Sequence, residues 1–222
     1  MPLVLPGNEV SLNQPGSRFH RHHHLNGYAA LLVSGSCHEV GDSGRFDARP
    51  GDVLVHDWFH GHADRIGARG ARFINIPLKG SLHAKSGKVA NLDSVVRAFE
   101  RDRDEGEAMF HEQFRPAVYG PADWPDLLAE DLAMGSIHRL DSWARSKGIH
   151  PASMSRGFRL AYGITPKRFR LEQMATRAAR RVLASAESLA GVAADAGFAD
   201  QAHMTRIFVE LFRVTPARLR SL

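Results

Sequence analysis

SLAGVAADAGFADQAHMTRIFVELFRVTPARLR, residues 188–220, is the stretch on which the reading of the fold turns. Leu189, Val192, Ala193 and Ala196 recur at helical spacing, and Ser188 stands where an N-cap is needed. Gly197 follows as a stop residue that accepts positive φ. Asp200 then opens a second helix, with Met204, Ile207, Phe208 and Leu211 expected on its inner face. Two short helices joined by a glycine-containing turn are the helix-turn-helix plan.

The same text occurs once more, fifty residues earlier and without a gap. Ala144 aligns with Ala194, Met154 with Met204, Arg156 with Arg206 and Phe158 with Phe208. Thr165-Pro166 aligns with Thr215-Pro216, and Arg168 and Arg170 with Arg218 and Arg220. In this earlier copy Leu140, Trp143 and Ala144 lead to Gly148, and Pro151 sits where a first-turn proline costs least. Met154, Phe158, Leu160 and Ala161 are expected to face inward. Two copies are too few for a solenoid, so the pattern predicts a tandem pair of small helical units. A longer helix from Pro166 to Ser185 should bridge them.

On Ala193, Gly197-Phe198, Gln201, Arg206, Phe208 and Thr215-Pro216, residues 137–222 resemble the DNA-binding part of AraC/XylS-type transcription regulators. Met204 replaces a usual aromatic, Ala202 a usual serine, and Arg213 a usual glycine. The resemblance implies a protein that binds promoter DNA and regulates transcription.

Charge is split in the same sense. From Ser136 onward there are 15 Lys and Arg against 6 Asp and Glu; residues 1–135 hold 14 against 18. A basic block of this kind suits a polyanion partner. The single cysteine, Cys37, excludes an intrachain disulfide and fits a reducing cytoplasm. The opening MPLVLPGNEV lacks the basic n-region and long apolar run of a signal peptide, and no stretch approaches the length of a membrane span.

The first eighty residues read differently. YAALLVSG, DVLVHDW and ARFINIPL are short apolar runs, separated by turn clusters at Gly41–Gly44, Pro50–Asp52 and Gly67–Gly70. They predict a small barrel or jelly roll. Through His22, His24, Pro50-Gly51-Asp52 and His62 this stretch resembles the cupin sensor domain found ahead of the DNA-binding part in the same family. Tyr28 falls where metal cupins usually carry glutamate. Between the two regions, Leu92, Val95, Val96, Phe99, Met109, Phe110 and Phe114 predict one helix over 91–115, ended by Pro116, and Leu127, Leu128 and Leu132 a second over 123–134. These helices either build a dimer interface, as the resemblance implies, or simply pack on the barrel.

The expected architecture is therefore α+β: a cupin-like effector-sensing domain over 1–80, a helical linker and possible dimerisation segment over 81–135, and a domain of two helix-turn-helix units over 136–222. The second helix of each unit should enter the major groove by its N-terminal turns. The candidate readers are Ser153, Ser155, Arg156 and Arg159 in the first, and Gln201, His203, Thr205 and Arg206 in the second. Gln suits adenine, Arg suits guanine or a phosphate, and Ser and Thr suit bases or phosphates. For Arg156 and Arg206 a structural ion pair is the competing reading.

Eight of the thirteen histidines lie between His20 and His62. Imidazoles two apart on a strand share a face, so His22 and His24 can converge and His62 can add a third nitrogen. Three histidines with an open position suit Zn²⁺, Ni²⁺ or Fe²⁺. The alternative is a pocket for an organic effector lined by Tyr28, His56 and His60. No nucleophile elbow, phosphate loop or strong carboxylate pair marks an enzyme. A metal-dependent cupin enzyme with a helical appendage remains the competing class, and a barrel that serves only as scaffold is a third. The expected partners are double-stranded DNA, a small-molecule or metal effector, RNA polymerase and a second copy of the chain, with no membrane.

Overall fold

The protein is described by a computed structural model over residues 10–78, 80, 82, 84–117, 122–137 and 139–221; most of the opening segment read above lies outside them. The strands are β1 (Val10–Asn13), β2 (Arg18–His23), β3 (Tyr28–Gly41), β4 (Gly44–Ala48), β5 (Asp52–His56), β6 (Gly61–Pro77), β7 (Ser86–Val89) and β8 (Phe114–Pro116). The helices are α1 (Leu92–Arg101), α2 (Arg103–Gln113), α3 (Trp124–Met134), α4 (Leu140–Ser146), α5 (Pro151–Tyr162), α6 (Pro166–Ala184), α7 (Leu189–Ala196), α8 (Gln201–Phe212) and α9 (Pro216–Arg220). A sheet region followed by a helical region is the α+β order that the sequence predicts.

The chain forms two compact units. One holds residues 1–39, 45–57 and 62–120; the other holds 121–222 together with two short pieces, 40–44 and 58–61.

In the first unit the strand order is β1-β6-β3-β5-β7-β8, with β2 on β6 and β4 on β3. β3 and β5 run antiparallel, with Tyr28 opposite His56 and Leu31 opposite Val53. Tyr28, Ala30 and Leu32 join Leu54, Ala71 and Phe73 in one core, while Ala29 and Leu31 join Val53, Val55, Ile74 and Ile76 in another. Burial on both faces is why YAALL reads as an unbroken apolar run instead of alternating. Val95, Phe110 and Phe114 complete the second core, so α1 and α2 pack on the sheet.

Three expectations are corrected. The segment 91–115 is not one helix. Asp102 is extended (φ −156°, ψ 145°), and its carboxylate accepts the Glu105 N–H at 3.0 Å, which ends α1 and caps α2. Phe114 then enters the sheet opposite Val89. Gly67–Gly70 is not a turn but part of the long strand β6. Its glycines serve close approach: a Cβ on Gly35 would meet the Gly70 carbonyl oxygen at 1.9 Å. Leu160, expected inside, is 88% exposed, and Tyr162 takes the inner position at 2%.

In the second unit the two copies of the repeat share their Thr-Pro helix starts but not their other caps, since Arg139 gives α4 no side-chain cap and His150 caps α5. Thr165 caps α6 and Thr215 caps α9, each accepting a backbone N–H three residues on. Ser188 caps α7 and Asp200 caps α8. Leu128, Ala129 and Leu132 of α3 share a core with Trp143, Phe158, Tyr162 and Phe169. Two polar links fasten α3 there: Tyr162 donates to Asp126 at 2.8 Å in a buried bond, and Trp143 donates to Asp131 at 2.7 Å in a half-buried one.

α8 ends at Arg213, whose φ of 59° lies in the left-handed region that glycine occupies without strain. Its counterpart in the first copy is Gly163, at φ 73°. Arg213→Gly is therefore expected to stabilise the protein by about 0.5–1 kcal/mol, the relief of strain being partly offset by a freer unfolded chain. Urea unfolding measures this, and an unchanged or lowered midpoint would show that the arginine side chain holds the turn in another way.

Candidate DNA interface and histidine centre

α5 and α8 are the second helices of the two units. Both bury one stripe, Met154, Phe158 and Tyr162 in α5 and Met204, Ile207, Phe208 and Phe212 in α8, and leave the opposite face outward. Ser153, Arg156, Arg159, Gln201 and Arg206 are exposed; Ser155, His203 and Thr205 are half-buried. Thr205 donates its hydroxyl to the Gln201 carbonyl at 2.9 Å, and His203 meets Phe198 edge-on at 5.3 Å. Both are partly committed to the helix they stand on. Among the described residues Arg156, Arg159 and Arg206 make no ion pair, in contrast to Arg168, which joins Glu172 at 2.6 Å and Glu210 at 2.6 Å. The arginine with a structural role is thus on α6, and those on the outward faces of α5 and α8 keep their guanidinium groups available.

α6 has 19 residues, Pro166 to Ala184, between the caps Thr165 and Ser185. At 1.5 Å per residue it spans about 28 Å. A hollow of about 820 Å³ opens beside its first turns, lined by Ser155, Lys167, Arg170 and His203 among others. Sequence reasoning had not singled out Lys167 and Arg170 as site residues. The Thr-Pro that starts α6 was the available signal, since cations just beyond it line the space between the two predicted readers.

The histidine centre lies in the first unit. His22 Nε2 stands 3.1 Å from His62 Nε2, and His62 Nε2 stands 3.2 Å from His24 Nε2. Strand alternation places His22 near the end of β2, and β6 carries His62 just inside its first residue. His22 Nδ1 lies 2.9 Å from the His20 carbonyl, so it carries the proton and leaves Nε2 as a lone pair. Burial, with the His62 charge second, lowers the His22 pKa to about 4 and that of His24 to about 2, so both rings are neutral near pH 7. Neutral imidazoles are the form that ligates metal.

Glu39, on β3, is the residue that sequence reasoning missed. It is 2% exposed, with Oε2 2.8 Å from His56 Nε2 and 3.3 Å from His62 Nδ1. Burial alone would raise its pKa, but the two histidine charges outweigh it and hold the group well below the carboxylate range. The same pairing raises the pKa of His62 against its own burial. Its signal was alternation: Cys37, Glu39 and Gly41 are buried while the residues between them are only half-buried, in a strand that looks polar. Nearby, burial raises the Asp64 pKa to about 6, and Cys37 Sγ donates to Asp64 at 3.7 Å.

A lone pair on His22 facing His62 at hydrogen-bond distance requires a proton or a cation between them. Bonds of about 2.0–2.1 Å at tetrahedral angles put donor atoms about 3.3 Å apart. His22, His24 and His62 are a group that could hold one metal ion once His62 has released its Nε2 proton, and Glu39 behind His62 is the carboxylate that would orient its ring. When bound, such an ion supplies a Lewis-acidic position that a small anionic or polar molecule can enter. Of the three residues expected around an organic effector, Tyr28 stacks on His56 with centroids 4.5 Å apart. His60 falls in the other unit, where Ser43 Oγ lies 3.4 Å from its Nδ1.

No helix among the described residues is long and apolar enough to cross a membrane. Residues 143–221 match a protein family described as "Helix-turn-helix domain". No curated protein matches the chain. Among solved structures it is similar to a transcriptional regulator with an AraC-type DNA-binding domain from Chromobacterium violaceum, with 20% identity, 42% of this chain and 86% of that one covered, and a TM-score of 0.40. It is also similar to ToxT from Vibrio cholerae, with 6% identity, 96% and 97% covered, and a TM-score of 0.45. KdgF from Halomonas is similar over 32% of this chain and 66% of its own, with 15% identity and a TM-score of 0.29.

Proposed function

We propose that this chain, whose residues 143–221 match a helix-turn-helix domain family, is an AraC-type regulator of transcription whose parts divide the work. α5 and α8 each read one major groove of promoter DNA, through Ser153, Ser155, Arg156 and Arg159 in one and Gln201, His203, Thr205 and Arg206 in the other. The observation that carries this is the rigid 19-residue helix α6 between two like readers. Its length of about 28 Å, widened by the flanking helices, suits one DNA turn of roughly 34 Å. Lys167 and Arg170, on the recess between the readers, meet the intervening phosphates.

The first unit senses an effector. His22, His24 and His62 hold Zn²⁺, Ni²⁺ or Fe²⁺, and Tyr28 and His56 meet a small molecule. RNA polymerase and a second copy of the chain are the remaining partners, and the cytoplasm the compartment, in keeping with one cysteine held as a thiol. The three converging imidazoles also favour a second reading, a metal-dependent enzyme. A sensor returns its ligand unchanged and an enzyme does not, so incubating metal-loaded protein with a bound ligand and assaying for product separates the two.

Footprinting on selected promoter fragments tests the DNA reading. A single chain is expected to protect two short boxes about ten base pairs apart, in direct and non-palindromic order. The boxes are unequal, because Gln201 and Arg206 reach further than Ser153 and Ser155. Arg206→Ala should cost about 1–3 kcal/mol and relax specificity in one box only if Arg206 reads a base. Uniform weakening on all sequences makes it a phosphate clamp, and protection of a single groove overturns the paired-reader reading.

A further inference from the structure

Resting on the metal reading of His22, His24 and His62, we infer that Tyr28 supplies the fourth ligand atom of that centre, a phenolate oxygen, and so biases the site toward hard, strongly Lewis-acidic ions such as Fe³⁺ and Cu²⁺.

Four observations converge on this oxygen. Tyr28 Oη lies 3.3 Å from His24 Nε2, the same nitrogen that lies 3.2 Å from His62 Nε2. The separations along the series Tyr28, His24, His62, His22 are 3.3, 3.2 and 3.1 Å. Each of the three matches an edge of a coordination polyhedron: about 3.3 Å for a tetrahedron with bonds near 2.05 Å, about 3.0 Å for an octahedron with bonds near 2.1 Å. Tyr28 is only 6% exposed, so its hydroxyl is held among these rings and away from bulk water. The ring itself is fixed. It stacks on His56 at 4.5 Å, and His56 is held in turn by Glu39 at 2.8 Å. The residue that stands where a carboxylate would be expected thus brings an oxygen of its own.

Ligation breaks the phenolic O–H bond heterolytically and forms an O–metal bond. The proton leaves to solvent, and no electron moves. A carboxylate and a phenolate differ in one way that can be seen. A phenolate bound to Fe³⁺ or Cu²⁺ donates charge from its π system to the metal and colours the protein, whereas imidazole and carboxylate ligands leave it nearly colourless. Glu39 turns its Oε2 toward His56 Nε2 and the far nitrogen of His62.

The test uses the full chain, loaded separately with Fe³⁺ and Cu²⁺ and freed of unbound ion, with metal content measured beside the visible absorption and resonance Raman spectra. About one equivalent of metal, a visible charge-transfer band and tyrosinate ring modes are expected. Tyr28→Phe keeps the ring and its stack on His56, and should abolish band and modes while retaining most of the metal. Far-UV circular dichroism confirms that the variant is folded. Metal near one equivalent with no such band in the unsubstituted protein overturns the assignment of Tyr28 and leaves the three-histidine site standing. A band that persists in Tyr28→Phe overturns it equally. Failure to bind Fe³⁺ and Cu²⁺ overturns the assignment of Tyr28, and the content of Zn²⁺, Ni²⁺ or Fe²⁺ then decides the three-histidine reading by itself.

Discussion

Raising salt from 50 to 200 mM is expected to weaken binding of the full chain to duplex DNA by about 10³–10⁴-fold. The estimate assumes that about five to eight phosphates are neutralised, giving a slope of log K on log salt of roughly −5 to −7. The cations that would do this are visible: Arg156, Arg159 and Arg206 stand exposed on the reading helices, and Lys167 and Arg170 line the recess beside α6. The excess of 15 Lys and Arg over 6 Asp and Glu after residue 135 is thinned by internal pairing, since Arg139, Arg145, Arg168 and Arg181 are tied to acids. That thinning is why the slope should fall well short of −15. Fluorescence anisotropy across a salt series measures it, and an affinity indifferent to salt would remove nucleic acid as the partner of this surface.

The second large effect concerns metal content. Protein expressed with Zn²⁺, Ni²⁺ or Fe²⁺ should carry close to one equivalent, and His62→Ala should carry almost none. His62 is the hub of the cluster, with its Nε2 near both His22 and His24 and its Nδ1 near Glu39. Its removal takes away the atom that links His22 to His24 and the one ring that Glu39 orients, which leaves too little to hold a metal against a chelator. Elemental analysis after chelation gives the answer. Stoichiometry near zero in the unsubstituted protein, under all three metals, would move the first unit toward binding an organic effector instead.

How much of this could be read beforehand depends on how local the cause is. The helical pairs were legible because capping is local: Ser188, Asp200 and the two Thr-Pro pairs fix helix starts within three residues of themselves. α6 was legible because its ends carry such signals and its interior no glycine. The break at Asp102 was not. Its surroundings are a run of charges, and a carboxylate that caps a helix looks in sequence like one more exposed acid. Gly67–Gly70 misled for the opposite reason. Glycine marks both turns and close packing, and only the facing Gly35 on a strand far away in sequence decides between them. At the histidine centre, His22 and His24 announced themselves by spacing and His62 by its place in a motif. Glu39 belongs to no motif. Its importance comes from facing His56 and His62 across the sheet.

Phe59 bears on how such a protein can be taken apart. The piece 58–61 between β5 and β6 counts with the helical unit, and there Phe59, fully buried at φ 64°, packs 5.1 Å from Phe212 and accepts a hydrogen bond from Thr176 at 3.3 Å. The helical unit is thus completed by a residue encoded some sixty positions upstream of the rest of it. A gene fusion that grafts residues 122–222 onto a foreign sensor leaves a phenyl-sized hole behind Phe212, a loss of about 3–5 kcal/mol by analogy with deleting a core aromatic. The helical unit therefore depends for its stability on a stretch of chain that interrupts the sheet unit.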